Sequence, residues 1–530
     1  MQARKPKIDL SLAIPTIIVT LIIAFCLIFA PDRSSKVINA MLGFLTNQFG
    51  WLFEISGLFM LLFCLWLSFG RYGRIKLGDR EDKPQFSTLT WVAMLFCTGI
   101  GTTLFYWAIV EPLFYLQGPP TGVVPGVIPG AEAAKEFALT YGIFHWGVTA
   151  WAFYIIPTIP IAYAVYVRKM PVFRFSVACR GVLGKQSDGI LGKIIDILVL
   201  FGIFGAIMAS LGTGVPLLAE MIHRLFGWEN GFAMTVGIIV VWVMLFGTSV
   251  YLGLEKGIAR LSKANIFVSY GLLLIVFLAG PTIYILNLSV DSLGLMLNNF
   301  LRMSLWTDPI AKGGFPQAWT TFYFAWWLAF GPVMGLFVAK ISRGRTIKQV
   351  VLGELIFGTL GCWLYFFVFG GYGLSLEFGG SAALTEIAGN VSGNAAVVAL
   401  LETLPWTTGI MFLAIVNAFI FSGTSYDSAA YTLAFSTLKV EEGQPVQEPA
   451  RWWRVFWAVL LAVGALALMF VGGLSSLQIA CVVVGLPLIP VFIIMIISFL
   501  RWAKQDFGEA TEKSALILEE IQLEEMPSER

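Results

Sequence analysis

Tyr323, Trp327, Phe330 and Met334 are spaced by four, three and four residues, which lines their side chains along one face of an α-helix. They belong to the stretch TTFYFAWWLAFGP, Thr320 to Pro332, where Phe322, Phe324 and Trp326 add further rings. A second set, Trp146, Trp151 and Tyr154 in FHWGVTAWAFY, falls within about 140° of helical arc. Aromatic faces carry negative quadrupole density and attract diffuse cations, at about 0.5–2 kcal/mol per contact depending on desolvation. A trimethylammonium group suits such faces: it has no N–H to offer a carboxylate, and its methyl shell is compatible with apolar walls. A primary ammonium would demand acceptors that rings lack. The two aromatic faces are therefore expected to converge on one pocket for a quaternary ammonium ion.

The elements that must position these rings follow from composition. Of the 530 residues, 58% are hydrophobic and 12% charged, against roughly 25% charged in a soluble domain. Apolar runs of about 20 residues recur, the length an α-helix needs to cross roughly 30 Å of hydrocarbon. The sequence thus predicts an all-α polytopic membrane protein. Its first run, Leu10 to Ala30, follows Arg4, Lys5 and Lys7 but is too long for a secretory signal, and no small-residue cleavage site follows it. Twelve spans are expected, near 10–30, 50–69, 88–116, 141–167, 191–216, 232–252, 265–287, 318–340, 347–371, 407–436, 456–473 and 477–502. With both termini cytoplasmic, 28 of the 34 Lys and Arg fall in inside segments and 6 outside, the bias that orients membrane proteins.

Two external loops are long. Gln117 to Glu136, rich in Gly and Pro, reads as an irregular cap, and Leu288 to Arg302 has the apolar spacing of an interfacial helix. The tail from Lys504 is short with an acidic end, a solvated helix or a disordered stretch. The six cysteines lie mostly in apolar runs without C-x-x-C spacing, which points to buried hydrophobes and to neither disulfides nor metal ligands. Basic residues are dispersed over the loops, so no nucleic-acid partner is expected. With two histidines, His145 and His223, and no nucleophile–base constellation, metal spacing or phosphate loop, enzyme chemistry and cofactors are not expected. A channel is the competing class, separated by whether one deep site or a string of weak sites is present.

Glycine interruptions occur mid-span in CTGIGTTLFYW, Cys97 to Trp107, and in FGPVMG, Phe330 to Gly335. Spans three and eight would run in opposite directions, so five spans from each form two halves of inverted topology, with a site at broken helices near the midplane. The alternative is that these glycines permit close helix packing. At Gly331-Pro332 the proline would deprive the Leu328 carbonyl of its partner.

The stretches TGIGTTLFYW, HWGVTAWAFY, TTFYFAWW with AKISRGRTI after it, and FSGTSYDSAAYTLA resemble, taken together, the betaine/choline/carnitine transporter family over nearly the whole chain. The resemblance implies a LeuT-like fold of two inverted five-helix repeats after two leading helices, a homotrimer, and a bacterial cytoplasmic membrane. The parts would be a cytoplasmic N-terminus at 1–9, leading helices at 10–87, repeats at 88–287 and 318–503, an external amphipathic helix and loop at 288–317 between them, and a cytoplasmic tail at 504–530. It also implies that Trp146, Trp151, Tyr154 and Trp327 box the ammonium, with Trp326 and Phe330 on the cytoplasmic route and Ile100 and Thr103 at the glycine stretch. Thr103 stands where choline-carrying relatives tend to have an acid, which favours zwitterions such as glycine betaine or carnitine. At Phe324 and Phe330 relatives often have Trp or Tyr, so the aromatic face stays and a polar handle is lost.

For a coupling ion the resemblance pairs the hydroxyls of Thr424 and Ser425 with the carbonyls of Cys97, Ile100 and Phe421 at one sodium site. Thr and Ser back-bonding to their own helix is the simpler account of the hydroxyls. Sodium-independent exchangers of the family carry an arginine at the position of Asn265; its absence here favours sodium symport. Met334 stands where the exchangers also have methionine near a second ion position, which leaves the stoichiometry open with one ion preferred to two; sodium-independent antiport is the second reading of the coupling. Asp427 and Glu111 are intramembrane acids. Proton coupling through either rivals sodium, while structurally Asp427 would tie the backbone of span ten and Glu111, before Pro112, would sit near the external surface. The short, acidic-ended tail fits constitutive uptake better than osmotic sensing.

Overall fold

The computed structural model describes residues 7–99, 103–171, 173–252, 259–439, 448–471 and 474–524, with backbone alone at 97–99, 246–252, 259–263, 424, 425, 427 and 509–524. Those residues are helical, with isolated bridges and no named strand among them. Among the described residues, nine stretches are long and apolar enough to cross a membrane. Together with the interrupted third span and two further helices, they make the twelve expected.

Two leading helices, α1 (Leu10–Phe29) and α2 (Pro31–Phe69), are followed by the third span as α3 (Thr88–Gly99) and α4 (Thr103–Gln117). The fourth span is α5 (Glu132–His145) and α6 (Val148–Ala162), and two short helices, α7 (Phe175–Ala178) and α8 (Arg180–Leu183), connect it to α9 (Ile190–Phe226). Spans six and seven are α10 (Phe232–Leu252) and α11 (Ala259–Ala279), and α12 (Thr282–Ser304) follows. The eighth span is α13 (Thr321–Ile341). The ninth runs through α14 (Ile347–Gly353), α15 (Thr359–Tyr365) and α16 (Gly371–Phe378), joined by two π-helical turns. The short helices α17 (Leu384–Asn390) and α18 (Gly393–Glu402) lead to α19 (Thr407–Ser436), α20 (Arg451–Val471), and a last span of α21 (Leu474–Gly485) and α22 (Leu488–Glu524). Each set of five spans has a pair of short helices after its second member, α7/α8 in one and α17/α18 in the other. An odd number of spans per set inverts the second copy.

Contacts between loops respect the sidedness read from charge. Arg343 pairs with Asp82, and Arg168 pairs with Asp506. Residues 7–9 meet the end of α19 through Asp9 N–H to Thr437 O at 2.8 Å. On the opposite side, Arg302 donates to Val123 O at 3.0 Å and Gln117 donates to Thr385 O at 2.6 Å.

Three expectations need correction. The second helix begins at Pro31, not near residue 50, with proline at its first turn, where its missing N–H costs nothing; its 39 residues extend about 58 Å. The seventh span ends at Ala279, because Gly280-Pro281 turns the chain by 109°, so the amphipathic helix starts at Thr282, six residues before Leu288. The tail takes the helical form of its two expected alternatives, with α22 continuing to Glu524. Finally, α13 passes through Pro332 without a break. Its glycines serve close packing instead: a Cβ on Gly335 would come within 2.6 Å of Pro157 on α6, and one on Gly331 within 2.8 Å of Phe492. The contact between α13 and α6 is the most extensive in the molecule among the described residues.

Candidate functional site

The interruption that shapes the site is in the fourth span. His145 ends α5, Trp146 has φ −99° and ψ 18°, and Gly147 is extended with φ −95° and ψ −154° before α6 starts. Glycine is required at 147 because a Cβ there would stand 2.7 Å from the carbonyl oxygen of Ile143, and backbone cannot give way. Interrupting a helix in hydrocarbon frees carbonyls that need donors. Indoles from two other spans supply them: Trp363 donates to Ile143 O at 2.7 Å and Trp327 donates to His145 O at 3.0 Å.

These bonds bring the predicted rings together. Trp146 and Trp327 lie edge to face, with centroids 4.8 Å apart at 74°. Tyr154 is perpendicular to Trp327 at 6.1 Å and tilted towards Phe330 at 6.1 Å. Trp326 stacks on Trp327 at 5.4 Å and meets Trp146 at 6.1 Å. Trp151 joins through Tyr154 alone among the recorded ring pairs, at 5.4 Å. Its indole lies over Gly358, in a π-helical turn of the ninth span, where a Cβ would be 2.2 Å from the ring. All six rings are buried. Among the described residues, the Tyr154 hydroxyl and the indole N–H groups of Trp326 and Trp107 have no hydrogen-bond partner, and Trp107 meets Trp326 at 6.5 Å. Unpaired buried donors beside the rings can receive an anionic group.

Behind the rings is a polar cluster that sequence reasoning missed. Glu111, expected near the external surface, is fully buried. Trp146 donates to its Oε2 at 2.9 Å, as does the Tyr323 hydroxyl at 2.6 Å. The Tyr115 hydroxyl donates to Oε1 at 2.5 Å, and His145 Nδ1 lies 3.1 Å from the same oxygen. His145 Nε2 is 3.1 Å from the Thr320 hydroxyl. The available signal was the four-residue spacing of Glu111 and Tyr115, which puts an acid and a phenol on one helix face.

The expected ion-site residues are only partly described. Ile100 and the side chains of Cys97, Thr424, Ser425 and Asp427 lie outside the described residues. Phe421 is buried on α19, its ring 5.8 Å from that of Phe96 on α3, so the two chain segments concerned are adjacent. One turn before Phe421, Asn417 accepts a 2.7 Å bond from Ser269 of α11, itself one turn beyond the buried Asn265. Thr103 starts α4 and is buried, as is Met334 on α13.

A model of the family "BCCT, betaine/carnitine/choline family transporter" matches residues 11–508. The chain belongs to that family. As a BCCT protein it is a multi-pass secondary transporter, which binds a small-molecule substrate within the bilayer and is not an enzyme in the usual sense. Among solved structures, one similar chain is a Na+-coupled sialic acid symporter in a substrate-bound, outward-open state. It shares 13% identity at a TM-score of 0.45, with 84% of this chain and 86% of that one covered.

Proposed function

We propose that this BCCT transporter takes up a zwitterionic quaternary ammonium compound of the glycine betaine or carnitine type by alternating access, coupled to sodium. The observation that carries the reading is the edge-to-face pair of Trp146 and Trp327 at 4.8 Å with Tyr154 perpendicular to it, all buried at a helix interruption. Such walls offer about 0.5–2 kcal/mol each to a diffuse cation, and they lack the acceptors that a primary ammonium needs in place of its hydration. The unpartnered Tyr154 hydroxyl and Trp326 and Trp107 N–H groups suit the carboxylate end of the substrate. An acid at Thr103 would repel that end, and threonine does not.

Sodium rests on the neutral Asn265 beside α19 and on the oxygen-bearing Thr424 and Ser425 of that helix. Symport at the cytoplasmic membrane as a homotrimer completes the proposal. The test is equilibrium binding to the purified protein of glycine betaine, carnitine, γ-butyrobetaine and choline, with and without sodium, followed by uptake into liposomes. Saturable zwitterion uptake that needs inward sodium is the expected result. Choline moved well with both zwitterions moved poorly defeats the substrate class, and uptake unchanged in sodium-free buffer defeats the coupling in favour of exchange or protons.

A further inference from the structure

We propose that Glu111 is an ionised carboxylate that acts as the counter-charge of the ammonium site without touching the substrate, its charge reaching the pocket through Trp146 and Tyr323. This rests on the aromatic reading above and adds the source of the site's negative potential.

The argument is one of donors and acceptors. Trp146 Nε1 can only donate, and the Tyr323 hydroxyl also donates to Oε2, so both sites on that oxygen are taken by N–H and O–H. On Oε1 the Tyr115 hydroxyl donates, and its own oxygen then accepts from His145 Nδ1 at 2.8 Å. With its proton on Nδ1, the neutral imidazole also faces Oε1, and its bare Nε2 accepts from the Thr320 hydroxyl. With Glu111 ionised, every proton in the cluster has a place, and four N–H and O–H groups face a single carboxylate. A charge so bonded is the form in which a buried acid is tolerated. Its one recorded ion-pair partner is His145, which this arrangement leaves neutral. The net charge of the cluster is therefore negative.

That charge lies one indole away from where the ammonium would sit. Trp146 binds Glu111 through Nε1 and meets Trp327 with its ring. Tyr323 binds Glu111 through its hydroxyl and packs against Trp327 at 5.8 Å. A hydrogen bond from an indole N–H or a phenol O–H to an anion also pushes electron density into the ring. Both rings become better cation faces, and the anion's own field adds to theirs. The carboxylate stays out of reach of a substrate's own carboxylate, so an ammonium can be attracted without the zwitterion being repelled by a contacting acid. At about 8–10 Å, with an effective dielectric of about 20, one charge changes affinity by about ten- to thirtyfold.

The test compares glycine betaine with 3,3-dimethylbutanoate, its neutral-headed carbon isostere, by equilibrium dialysis against the purified full-length protein in lipid nanodiscs. Both have the same shape and carboxylate, so the ratio of their affinities reads the head-group charge alone. Glu111→Gln is expected to lower the preference for glycine betaine by about tenfold or more, a change that loss of packing, which weakens both ligands alike, does not produce. Phe366→Leu, in the ninth span, removes a ring that packs on Trp146 at 5.9 Å and leaves the bonds of Glu111 in place; it serves as that packing control and should weaken both to similar extents. Glu111→Asp keeps the charge and should hold the ratio within about threefold of wild type. If Glu111→Gln cannot be recovered folded, a tenfold collapse of the ratio in Glu111→Asp overturns the inference on its own. A wild-type preference left intact by Glu111→Gln overturns it while sparing the substrate class. A wild type with no preference for the ammonium overturns both.

Discussion

Trp327, in the eighth span, donates its indole N–H to the carbonyl oxygen of His145 across the interruption in the fourth, at 3.0 Å. The same side chain thus walls the proposed ammonium site and satisfies the backbone that forms it. Trp327→Phe keeps a ring but strands a buried carbonyl, at a cost of about 1–3 kcal/mol. Binding of glycine betaine should weaken by about tenfold and the melting temperature in detergent should fall. Trp327→Leu removes the ring as well and should reduce binding by about a hundredfold. Unchanged affinity for methylated ammonium solutes in the leucine variant would defeat the substrate assignment.

Two glycine substitutions should behave oppositely. Gly147→Ala forces a Cβ to 2.7 Å from the Ile143 carbonyl oxygen, so folded yield and thermal stability should both drop sharply. Gly271→Ala, on α11 with nothing within 4 Å of the added carbon, should be neutral or raise stability by up to about 1 kcal/mol, as expected for alanine in a helix interior. Melting curves of the two variants in one detergent decide the matter.

Gly358→Ala tests whether the position of Trp151 matters to binding. The added Cβ would be 2.2 Å from the Trp151 ring and must displace it. With Trp151 a wall of the site, glycine betaine affinity should fall about tenfold, read by equilibrium dialysis on protein that elutes as wild type does. Affinity equal to wild type would remove Trp151 from the site and leave Trp146, Trp327 and Tyr154.

A fixed cation at position 265 should substitute for the coupling ion. Asn265→Arg is expected to make binding and exchange independent of sodium and to abolish sodium-driven accumulation. Liposome uptake with and without an inward sodium gradient measures this. Retained sodium stimulation would move the ion site away from the α11–α19 contact.

Outside the spans, the Arg343 guanidinium beside Asp82, bonding both carboxylate oxygens at 3.1 and 3.2 Å, holds that carboxyl below its ordinary range with help from the Asp79 N–H. A depressed carboxylate stabilises the folded state fully above its unfolded pKa, and the contribution disappears as pH falls through the lower folded value. The melting temperature of Asp82→Asn relative to wild type should show a small constant deficit above about pH 5 that shrinks as pH falls below the ordinary carboxylate value of about 3.9. A deficit that grows on acidification contradicts the pairing.

Much of the architecture was legible because it is one-dimensional information. Apolar run length fixes the spans, and the placement of Lys and Arg fixes their alternation, which the loop contacts respect. The aromatic stripes were legible too, since helical periodicity puts Tyr323, Trp327 and Phe330 on one face before any tertiary contact is known. The location of the interruption was not. Pro332 looks like a helix breaker, yet α13, packed against α6, carries it intact; Gly147, beside no proline, breaks its span because Trp327 and Trp363, 182 and 220 residues away, cap the freed carbonyls. The partners of Glu111 were hidden for the same reason: the Tyr323 that bonds it is 212 residues away. The start of α2 was missed because its first turns, Pro31 to Lys36, are polar; what marks a helix there is Pro31 at the first position and Asp32 in the first turn, which hydropathy does not register.

The bonds around the fourth-span interruption also constrain how the protein can move. Glu111 clamps α4 to Trp146 and to Tyr323, Trp327 pins α13 to His145, and Trp363 pins the ninth span to Ile143. Spans three, four, eight and nine are therefore riveted together at one buried knot. Any rocking that opens the pocket first to one face of the bilayer and then to the other must carry these four as a single block and find its hinges elsewhere along the chain.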